Sequence, residues 1–106
     1  MPTGRRDTDE YRAYMAEYMR KRYQRNVEIV RKLKVERGCA DCGYNAHHAG
    51  LEFDHREPGR KDRETVAALM GKGINRIMAE IDKCDVVCGT CHNVRTFERL
   101  QLTNPS

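Results

Sequence analysis

The sequence contains no apolar run as long as a membrane span, which takes about 20 consecutive apolar residues. Its first ten residues, MPTGRRDTDE, also lack the apolar segment of a secretory signal. Both absences predict a cytoplasmic protein that does not engage a membrane. Cysteines stay reduced in that compartment, so we expect them to bind a metal rather than form disulfide bonds.

Apolar residues are scarce throughout the chain. Only 39% of the 106 residues are hydrophobic and 34% are charged, and the mean hydropathy is -0.86. The length fits one domain, and a domain of this size buries only a modest fraction of its surface. A bound metal or a cross-link is therefore expected to contribute to its stability.

Positive charge is concentrated in the first third of the chain. Residues 1–38 hold 11 Lys and Arg against 6 Asp and Glu, whereas residues 39–106 hold 9 against 10. The net charge of +4 therefore comes from the segment before the first cysteine. This asymmetry predicts a basic arm on a nearly neutral core, and nucleic acid is the usual partner of such an arm.

The basic arm has the pattern of one long helix. Apolar residues recur at gaps of three and four over residues 11–33. The pattern predicts a helix from Thr8 to about Arg37 that ends at Gly38, with a break near Asn26.

Two interpretations of this helix are compatible. An apolar face can pack on the core while the opposite face contacts DNA phosphates. The tyrosines of residues 11–23 are interpreted as packing residues or as a dimer surface, and the oligomeric state stays open. The residues predicted to bind DNA from this helix are Arg20, Lys21, Arg22 and Arg25.

Four of the five cysteines form two C-x-x-C pairs, Cys39 with Cys42 and Cys88 with Cys91. A two-residue gap lets both sulfurs of a pair face one ion, so the four thiolates predict a tetrahedral, structural Zn²⁺ site without an open position. The alternatives are a redox pair or buried thiols. The fifth cysteine, Cys84, is expected to pack in the core.

The rest of the chain has the pattern of short strands and helices, which gives an α+β fold. The predicted elements are strands over residues 51–55 and 85–88, helices over residues 64–70, 74–83 and 91–102, a charged loop over residues 56–63, and a loose tail over residues 103–106. The residues expected to face inward are Leu51 and Phe53 on the first strand and Val94, Phe97 and Leu100 or Leu102 on the last helix.

Asp54 and His55 end the first predicted strand, and His92 directly follows the last cysteine of the zinc site. Because the zinc pins the second cysteine pair near the first, it also determines where His92 points. A carboxylate and an imidazole can hold a divalent cation, and a second histidine can accept a proton from water. The alternative is a structural hydrogen bond between Asp54 and His55. His47 and His48, in the preceding loop, are interpreted as solvated, with extra metal ligands or phosphate contacts as the alternative.

Together these motifs resemble the HNH endonucleases. The matching segments are the first C-x-x-C pair, Phe53-Asp54-His55, and Asp85-Val-Val-Cys88-Gly-Thr-Cys91-His92, which continues to Thr96. The resemblance covers about residues 39–99 and implies a small, treble-clef-like ββα-metal core. It places an HNH nuclease domain over residues 39–102, behind a basic N-terminal helix or arm over residues 1–38. The chain is similar in particular to the small HNH proteins of bacteriophages.

The resemblance implies a metal-dependent endonuclease or nickase that hydrolyses DNA phosphodiester bonds. His55 corresponds to the general base that activates water, and Asp54 and His92 to the ligands of a catalytic cation such as Mg²⁺ or Mn²⁺. Arg95, one turn into the final helix, is expected to contact a phosphate. The phage resemblance also implies DNA processing or packaging, packaging proteins as partners, and the host cytoplasm as location.

One position departs from the family pattern. The family's middle asparagine, which braces the loop bearing the base, falls five residues before the second C-x-x-C pair. This chain has Lys83 there. Asp85, Asn75 and Asn93 are the candidates to replace the asparagine.

Two other functions are compatible with the motifs. Lys83 favours a non-catalytic, zinc-dependent nucleic-acid-binding module, whereas the set of Asp54, His55 and His92 speaks against it, since binding alone needs none of them. The other alternative is an accessory protein of a phage packaging motor.

Overall fold

The computed structural model describes residues 8–57 and 64–103 of the chain. Within these residues the fold is α+β, as predicted, with three helices, two strands and two short 3₁₀ turns at His48–Gly50 and Ala67–Leu69. The helices and strands, in chain order, are α1 (Asp9–Arg37), β1 (Leu51–His55), α2 (Ile74–Ile81), β2 (Cys84–Cys88) and α3 (Gly89–Thr103).

Helix α1 confirms the predicted long N-terminal helix. The hydroxyl of Thr8 caps its first turn by accepting a hydrogen bond from the Tyr11 amide at 3.1 Å. The helix ends at Gly38, whose φ of 68° favours glycine. A side chain at Gly38 would also crowd Asn45 and the carbonyl oxygen of Tyr44, at 3.2 and 3.3 Å.

The prediction of a break near Asn26 is wrong, because α1 is continuous through this residue. Asn26 is only 2% exposed. Its side-chain amide donates hydrogen bonds to the carbonyl oxygens of Met70 and Lys72, at 2.9 and 2.8 Å. The amide thus binds the segment before α2 and leaves the hydrogen bonds of its own helix intact.

Strands β1 and β2 form an antiparallel pair. Leu51 lies opposite Cys88 and Asp54 lies opposite Asp85. Strand β2 begins at Cys84, one residue before the predicted start. This register carries the second cysteine pair to the beginning of β1 and places Asp54 three residues further along.

The core consists of two small apolar clusters. The first joins α1 to α2 and the turn before α2 through Val30, Val66, Leu69, Met70, Ile77 and Ile81. The second surrounds the sheet and contains Cys39, Leu51, Val86 and Val87, with Phe53 packed against both clusters. The inward orientation predicted for Leu51 and Phe53 is therefore confirmed.

Two of the predicted short elements differ in extent from the structure. The helix expected over residues 64–70 is only the 3₁₀ turn Ala67–Leu69, and the one expected over residues 74–83 ends at Ile81. Of the predicted charged loop and loose tail, residues 58–63 and 104–106 lie outside the described residues.

The inward face predicted for the last helix is wrong. Val94, Phe97 and Leu100 are 50, 61 and 58% exposed, and the side chain of Leu102, the alternative to Leu100, lies outside what the structure describes. The residues of α3 that face the sheet are Cys91, Arg95 and Arg99, which recur every four residues and bind carboxylates or belong to the cysteine cluster. The face of α3 that packs on the sheet therefore carries ion pairs, and the apolar face lies exposed.

The first half of α1 extends away from the core. Tyr14, Tyr18 and Tyr23 are about half exposed or more, and the buried residues of the helix are Asn26 and Val30. These three tyrosines therefore do not have the packing role predicted for them. At 1.5 Å per residue the helix is about 44 Å long, so its basic first half is presented to solvent.

No helix in residues 8–57 and 64–103 combines the length and the apolar character needed to cross a bilayer.

The buried amide of Asn26 provides a test of how α1 is anchored. Asn26→Ala removes two hydrogen bonds and leaves a buried carbonyl unpaired, so we expect the free energy of unfolding to fall by about 2 kcal/mol. Urea unfolding at saturating zinc measures the change. Gln24→Ala, at an exposed position of the same helix, is the matched control and should change the free energy by less than about 0.5 kcal/mol. Equal effects of the two substitutions would contradict the anchoring role.

Candidate functional site

The four paired cysteines converge on one point. The sulfur atoms of Cys39, Cys42, Cys88 and Cys91 all lie within 4.8 Å of one another. The Cys42 and Cys88 sulfurs are 3.7 Å apart, and four sulfurs at 2.3 Å from a tetrahedral Zn²⁺ would be about 3.8 Å apart. The cluster is therefore positioned to hold one metal ion and is compatible with structural zinc.

The first pair lies on a tight turn after α1. The Cys39 amide donates to the Tyr44 carbonyl oxygen at 2.8 Å, and the Gly43 amide donates to the Cys39 carbonyl oxygen at 2.9 Å. Gly43 has φ 82°, a conformation that glycine adopts without strain. The Cys42 amide points at the Cys39 sulfur at 3.4 Å. The turn thus brings both sulfurs to one side of the backbone.

The second pair lies where β2 passes into α3. Cys88 is the last residue of β2, and the Cys91 amide points at its sulfur at 3.4 Å.

The surroundings of the cluster change how readily its thiols ionise. Burial opposes ionisation of Cys39, but backbone amides of Cys88, Cys42 and Asp41 outweigh it and lower the pKa of the Cys39 thiol to about 6. The Cys88 sulfur and burial raise the pKa of the Cys91 thiol in turn, because a second thiolate this close is unfavourable without a bound cation.

Cys84 stands apart from the cluster. It is buried, as predicted, and its thiol donates to the Glu80 carbonyl oxygen at 3.4 Å. Burial raises the pKa of this thiol to about 11. Cys84 is therefore a packing residue and not a ligand or nucleophile.

The three residues predicted to form the catalytic site lie together. Asp54, His55 and His92 line one cleft of about 240 Å³, with Phe53, Glu64 and Thr65 forming the remaining walls. Asp54 Oδ1 and His92 Nε2 are 3.4 Å apart. β1 supplies the first two residues and the first turn of α3 supplies the third.

Asp54 is a buried carboxylate bound by two arginines. It is 4% exposed, accepts two hydrogen bonds of 2.8 Å from Arg99, and accepts one of 2.9 Å from Arg95. Burial alone would raise the pKa of Asp54, but these arginines lower it to about 2. Oδ2 accepts two hydrogen bonds and Oδ1 accepts one, so one lone pair on Oδ1 is left to face His92.

Glu52 orients His92. Its Oε2 lies 2.6 Å from His92 Nδ1, which turns Nε2 toward Asp54. In metal sites, a carboxylate that binds the ring nitrogen opposite the metal fixes the orientation of the histidine ring and its tautomer. Asp54 Oδ1 and His92 Nε2 are thus one oxygen and one nitrogen that can bind a single divalent cation, with the other positions left to water and phosphate. In the described residues only the cysteines form a cluster of three or more ligands, so this second site has two protein donors.

His55 is held by a residue that the sequence analysis did not identify. Its Nε2 lies 2.7 Å from Oε2 of Glu80, on α2. Of the candidates to replace the missing asparagine, Asp85 accepts a hydrogen bond of 3.3 Å from Arg56, the residue directly after His55. None of the three candidates, Asp85, Asn75 and Asn93, makes a hydrogen bond to His55 in the described part of the chain.

Arg95 connects three parts of the structure through hydrogen bonds. It donates two hydrogen bonds of 2.7 Å to Asp41 and one of 2.9 Å to each of Asp54 and Asp85. Four of its five N–H groups are therefore used within the protein. Arg95 ties α3 to the first cysteine turn and to both strands, and its contact with a phosphate stays a prediction.

The basic residues predicted to bind DNA lie in the exposed first half of α1, before Asn26. Arg20 pairs with Glu17 one turn away, with its Nε 3.0 Å from the carboxylate, and Lys21 and Arg25 are exposed. Arg22 donates to the Lys72 carbonyl oxygen at 3.1 Å and so contributes to anchoring the helix.

His47 and His48 lie outside the cleft. The rings stack with their centroids 4.4 Å apart, and His47 Nδ1 accepts a hydrogen bond of 3.0 Å from the Ala49 amide. This bond caps the short turn before β1, so His47 has a structural role that the sequence analysis did not anticipate.

Three functional residues were missed from the sequence, namely Glu52, Glu80 and Arg99. Glu80 follows Ile77 by three residues, and Arg99 follows Arg95 by four, so each lies on the inward face of its helix. That periodicity was available in the sequence, but charged residues are not expected on a buried face.

No family model, no characterised protein and no solved structure matches this chain. The resemblance to HNH endonucleases therefore stays a prediction from the motifs. Function has to be argued from the geometry of the two sites.

The cysteine cluster predicts one zinc per chain that is needed for folding. Cys88→Ser should abolish zinc binding and the cooperative thermal transition, because zinc-binding free energy is part of the folding free energy. Cys84→Ser is the matched control and should keep the zinc. Elemental analysis of purified protein and calorimetry measure both properties. A metal-free wild type that stays fully folded would refute the structural role.

Proposed function

We propose that this protein is a metal-dependent endonuclease or nickase that hydrolyses DNA phosphodiester bonds. The observation that carries the proposal is the cleft that holds Asp54, His55 and His92 together. One ring nitrogen of each histidine is hydrogen-bonded to a carboxylate, which is Glu80 for His55 and Glu52 for His92. Two oriented imidazoles beside a buried aspartate are more than DNA binding requires.

The residues of the cleft divide the work of hydrolysis. Asp54 and His92 would hold the divalent cation, which would stabilise negative charge on the phosphate and on the leaving oxygen. His55 accepts the proton of the attacking water as its oxygen bonds to phosphorus. The bond between phosphorus and the 3′ oxygen breaks, and this oxygen takes a proton from solvent water, which leaves 5′-phosphate and 3′-hydroxyl ends.

The cysteine cluster holds the cleft together in this proposal. A structural zinc there fixes the start of α3 against β1, so His92 stays beside Asp54. A four-thiolate site leaves no coordination position for substrate, so the zinc takes no part in the chemistry.

The basic half of α1 supplies affinity for DNA. Arg20, Lys21 and Arg25 are exposed on the part of α1 before Asn26, and Arg22 lies among them but is held by the Lys72 carbonyl oxygen. Their charges can neutralise backbone phosphates along a duplex, which gives binding without sequence preference.

The resemblance to small phage HNH proteins suggests the biological setting. We place the activity in phage DNA processing or packaging, in the cytoplasm of the host and beside packaging proteins. The motifs Phe53-Asp54-His55 and Cys91-His92 carry this part of the proposal.

One observation favours a second candidate, a zinc-dependent DNA-binding module without hydrolysis. Arg95 and Arg99 together donate three hydrogen bonds to Asp54. Their positive charges oppose a second cation at the same carboxylate. The two candidates share the zinc and the basic helix and differ only in metal-dependent cleavage.

Plasmid nicking separates the two candidates. Wild-type protein should nick supercoiled plasmid only when Mg²⁺, Mn²⁺ or a similar cation is added. His55→Ala should lower the rate by about 100-fold or more, because it removes the general base. His48→Ala, a histidine outside the cleft, is the matched control and should retain the rate. If no cation supports nicking, the binding module is the correct function. If His55→Ala nicks like wild type, His55 is not the general base and the proposed mechanism fails.

The role of the basic helix is tested by salt dependence. Replacing Arg20, Lys21 and Arg25 with alanine should weaken DNA binding and reduce the slope of log K against log salt by about 2 to 3, since each phosphate contact contributes about 0.9. Arg22 is left in place because it anchors the helix. Exchanging Arg and Lys at the same three positions keeps the charge and should leave the slope unchanged. An unchanged slope in the alanine variant would mean that DNA binds at another surface of the protein.

A further inference from the structure

We propose that Glu80 is the positioning residue of the catalytic histidine and holds His55 with Nδ1 as its proton-accepting atom. The inference rests on the proposed function, in which His55 is the general base. Glu80 lies at the last turn of α2, between the buried residues Ile77 and Ile81, so its own position is held by packing. Glu80 binds the ring of His55 itself, whereas Asp85, one of the candidates for the asparagine's place, binds Arg56 in the following loop.

The Glu80 carboxylate is fully buried, and each of its two oxygens has two hydrogen-bond donors. Its relative exposure is 0%. Oε2 lies 2.7 Å from His55 Nε2 and 3.3 Å from the Glu64 amide. Oε1 lies 3.3 Å from Lys83 Nζ and 3.4 Å from a guanidinium nitrogen of Arg76. A buried carboxylate is tolerated only with such complete pairing.

The pairing keeps Glu80 ionised. Burial alone would raise its pKa, but hydrogen bonds from His55, the Glu64 amide, Lys83 and Arg76 lower it to about 2. An ionised carboxylate has no hydrogen to donate. The hydrogen in the bond between His55 and Glu80 therefore belongs to Nε2 of the histidine.

This assignment decides which atom of His55 can act as the base. When the neutral ring carries its hydrogen on Nε2, its lone pair is on Nδ1. The ring lines the cleft shared with Asp54 and His92. In the reaction a water O–H bond breaks and an Nδ1–H bond forms, and the resulting imidazolium is stabilised by the charge of Glu80.

Lys83 gains a role from this arrangement. It stands where the HNH pattern has asparagine, and its ammonium group binds Glu80 Oε1. Its carbonyl oxygen also accepts a hydrogen bond of 3.0 Å from the Arg56 amide, directly after His55. The lysine thus supports the residue that holds the base and braces the backbone that bears it.

The test is Glu80→Gln, which keeps size and removes charge. The glutamine amide can donate to Nε2 and favour the tautomer with hydrogen on Nδ1, which cannot accept a proton from water. We expect nicking to fall by about 100-fold or more, with zinc content retained and DNA affinity within about twofold. Nitrogen NMR of the His55 ring in the full-length, zinc-loaded protein reports the tautomer directly. Wild type should carry hydrogen on Nε2, and Glu80→Gln should carry a substantial fraction on Nδ1.

A matched control removes a more distant partner of the same carboxylate. Arg76→Met takes the donor at 3.4 Å from Oε1 and leaves the contact between Oε2 and His55. It should keep the wild-type tautomer and nick within about tenfold of wild type. If Glu80→Gln does not fold, Glu80→Asp, which keeps the charge but falls short of His55, replaces it and should show the same loss of nicking and of the Nε2 tautomer.

Two results would overturn the inference. One is a variant at Glu80 that nicks at the wild-type rate, and the other is a wild-type ring with its hydrogen on Nδ1. Failure of the proposed function is distinguishable, because then wild type does not nick with any cation while the ring still carries hydrogen on Nε2. In that case Glu80 holds a structural histidine and the positioning role is refuted.

Discussion

The convergence of four cysteine sulfurs is the constraint on which the rest of the structure depends. One pair follows the long helix α1, and the other joins β2 to α3. A metal ion held by all four would close a loop of about 50 residues that contains everything between Cys39 and Cys91. His92 is the next residue after the last cysteine, so such a metal would also restrict its distance from Asp54 on the neighbouring strand.

Ion pairs occupy several buried positions that apolar side chains would fill in a larger domain. The buried carboxylates of Asp54 and Glu80 are each surrounded by cationic groups, and the inward face of α3 carries Arg95 and Arg99. Removal of one partner from such a buried network leaves an unpaired charge, which costs far more than loss of a surface pair. Asp54 lines the cleft and Glu80 binds His55 from outside it, so the groups that stabilise the domain also set the electrostatics of the site.

Features that follow from local pattern were predictable from the sequence. Helix α1 has caps and periodicity of its own, the strands have apolar runs, and the cysteine spacing determines the ligand set. Features that depend on a distant partner were not. Asn26 binds carbonyl groups more than 40 residues away, and the inward side of α3 is charged while Val94 and Phe97 face solvent. A pattern argument assigns the apolar face of a helix to the core, and it fails where buried carboxylates attract arginines instead. Glu80 was not predicted for the same reason, because it is a charged residue on the buried face of α2.

The central claim is that one metal organises the site of another, and a crystal structure of the zinc-loaded protein soaked in Mn²⁺ tests it most directly. Anomalous scattering distinguishes the two elements. The account predicts zinc at the four sulfurs, about 2.3 Å from each, and manganese bound between Asp54 Oδ1 and His92 Nε2. Manganese absent from that position, or zinc bound there in place of the cysteine cluster, would contradict it.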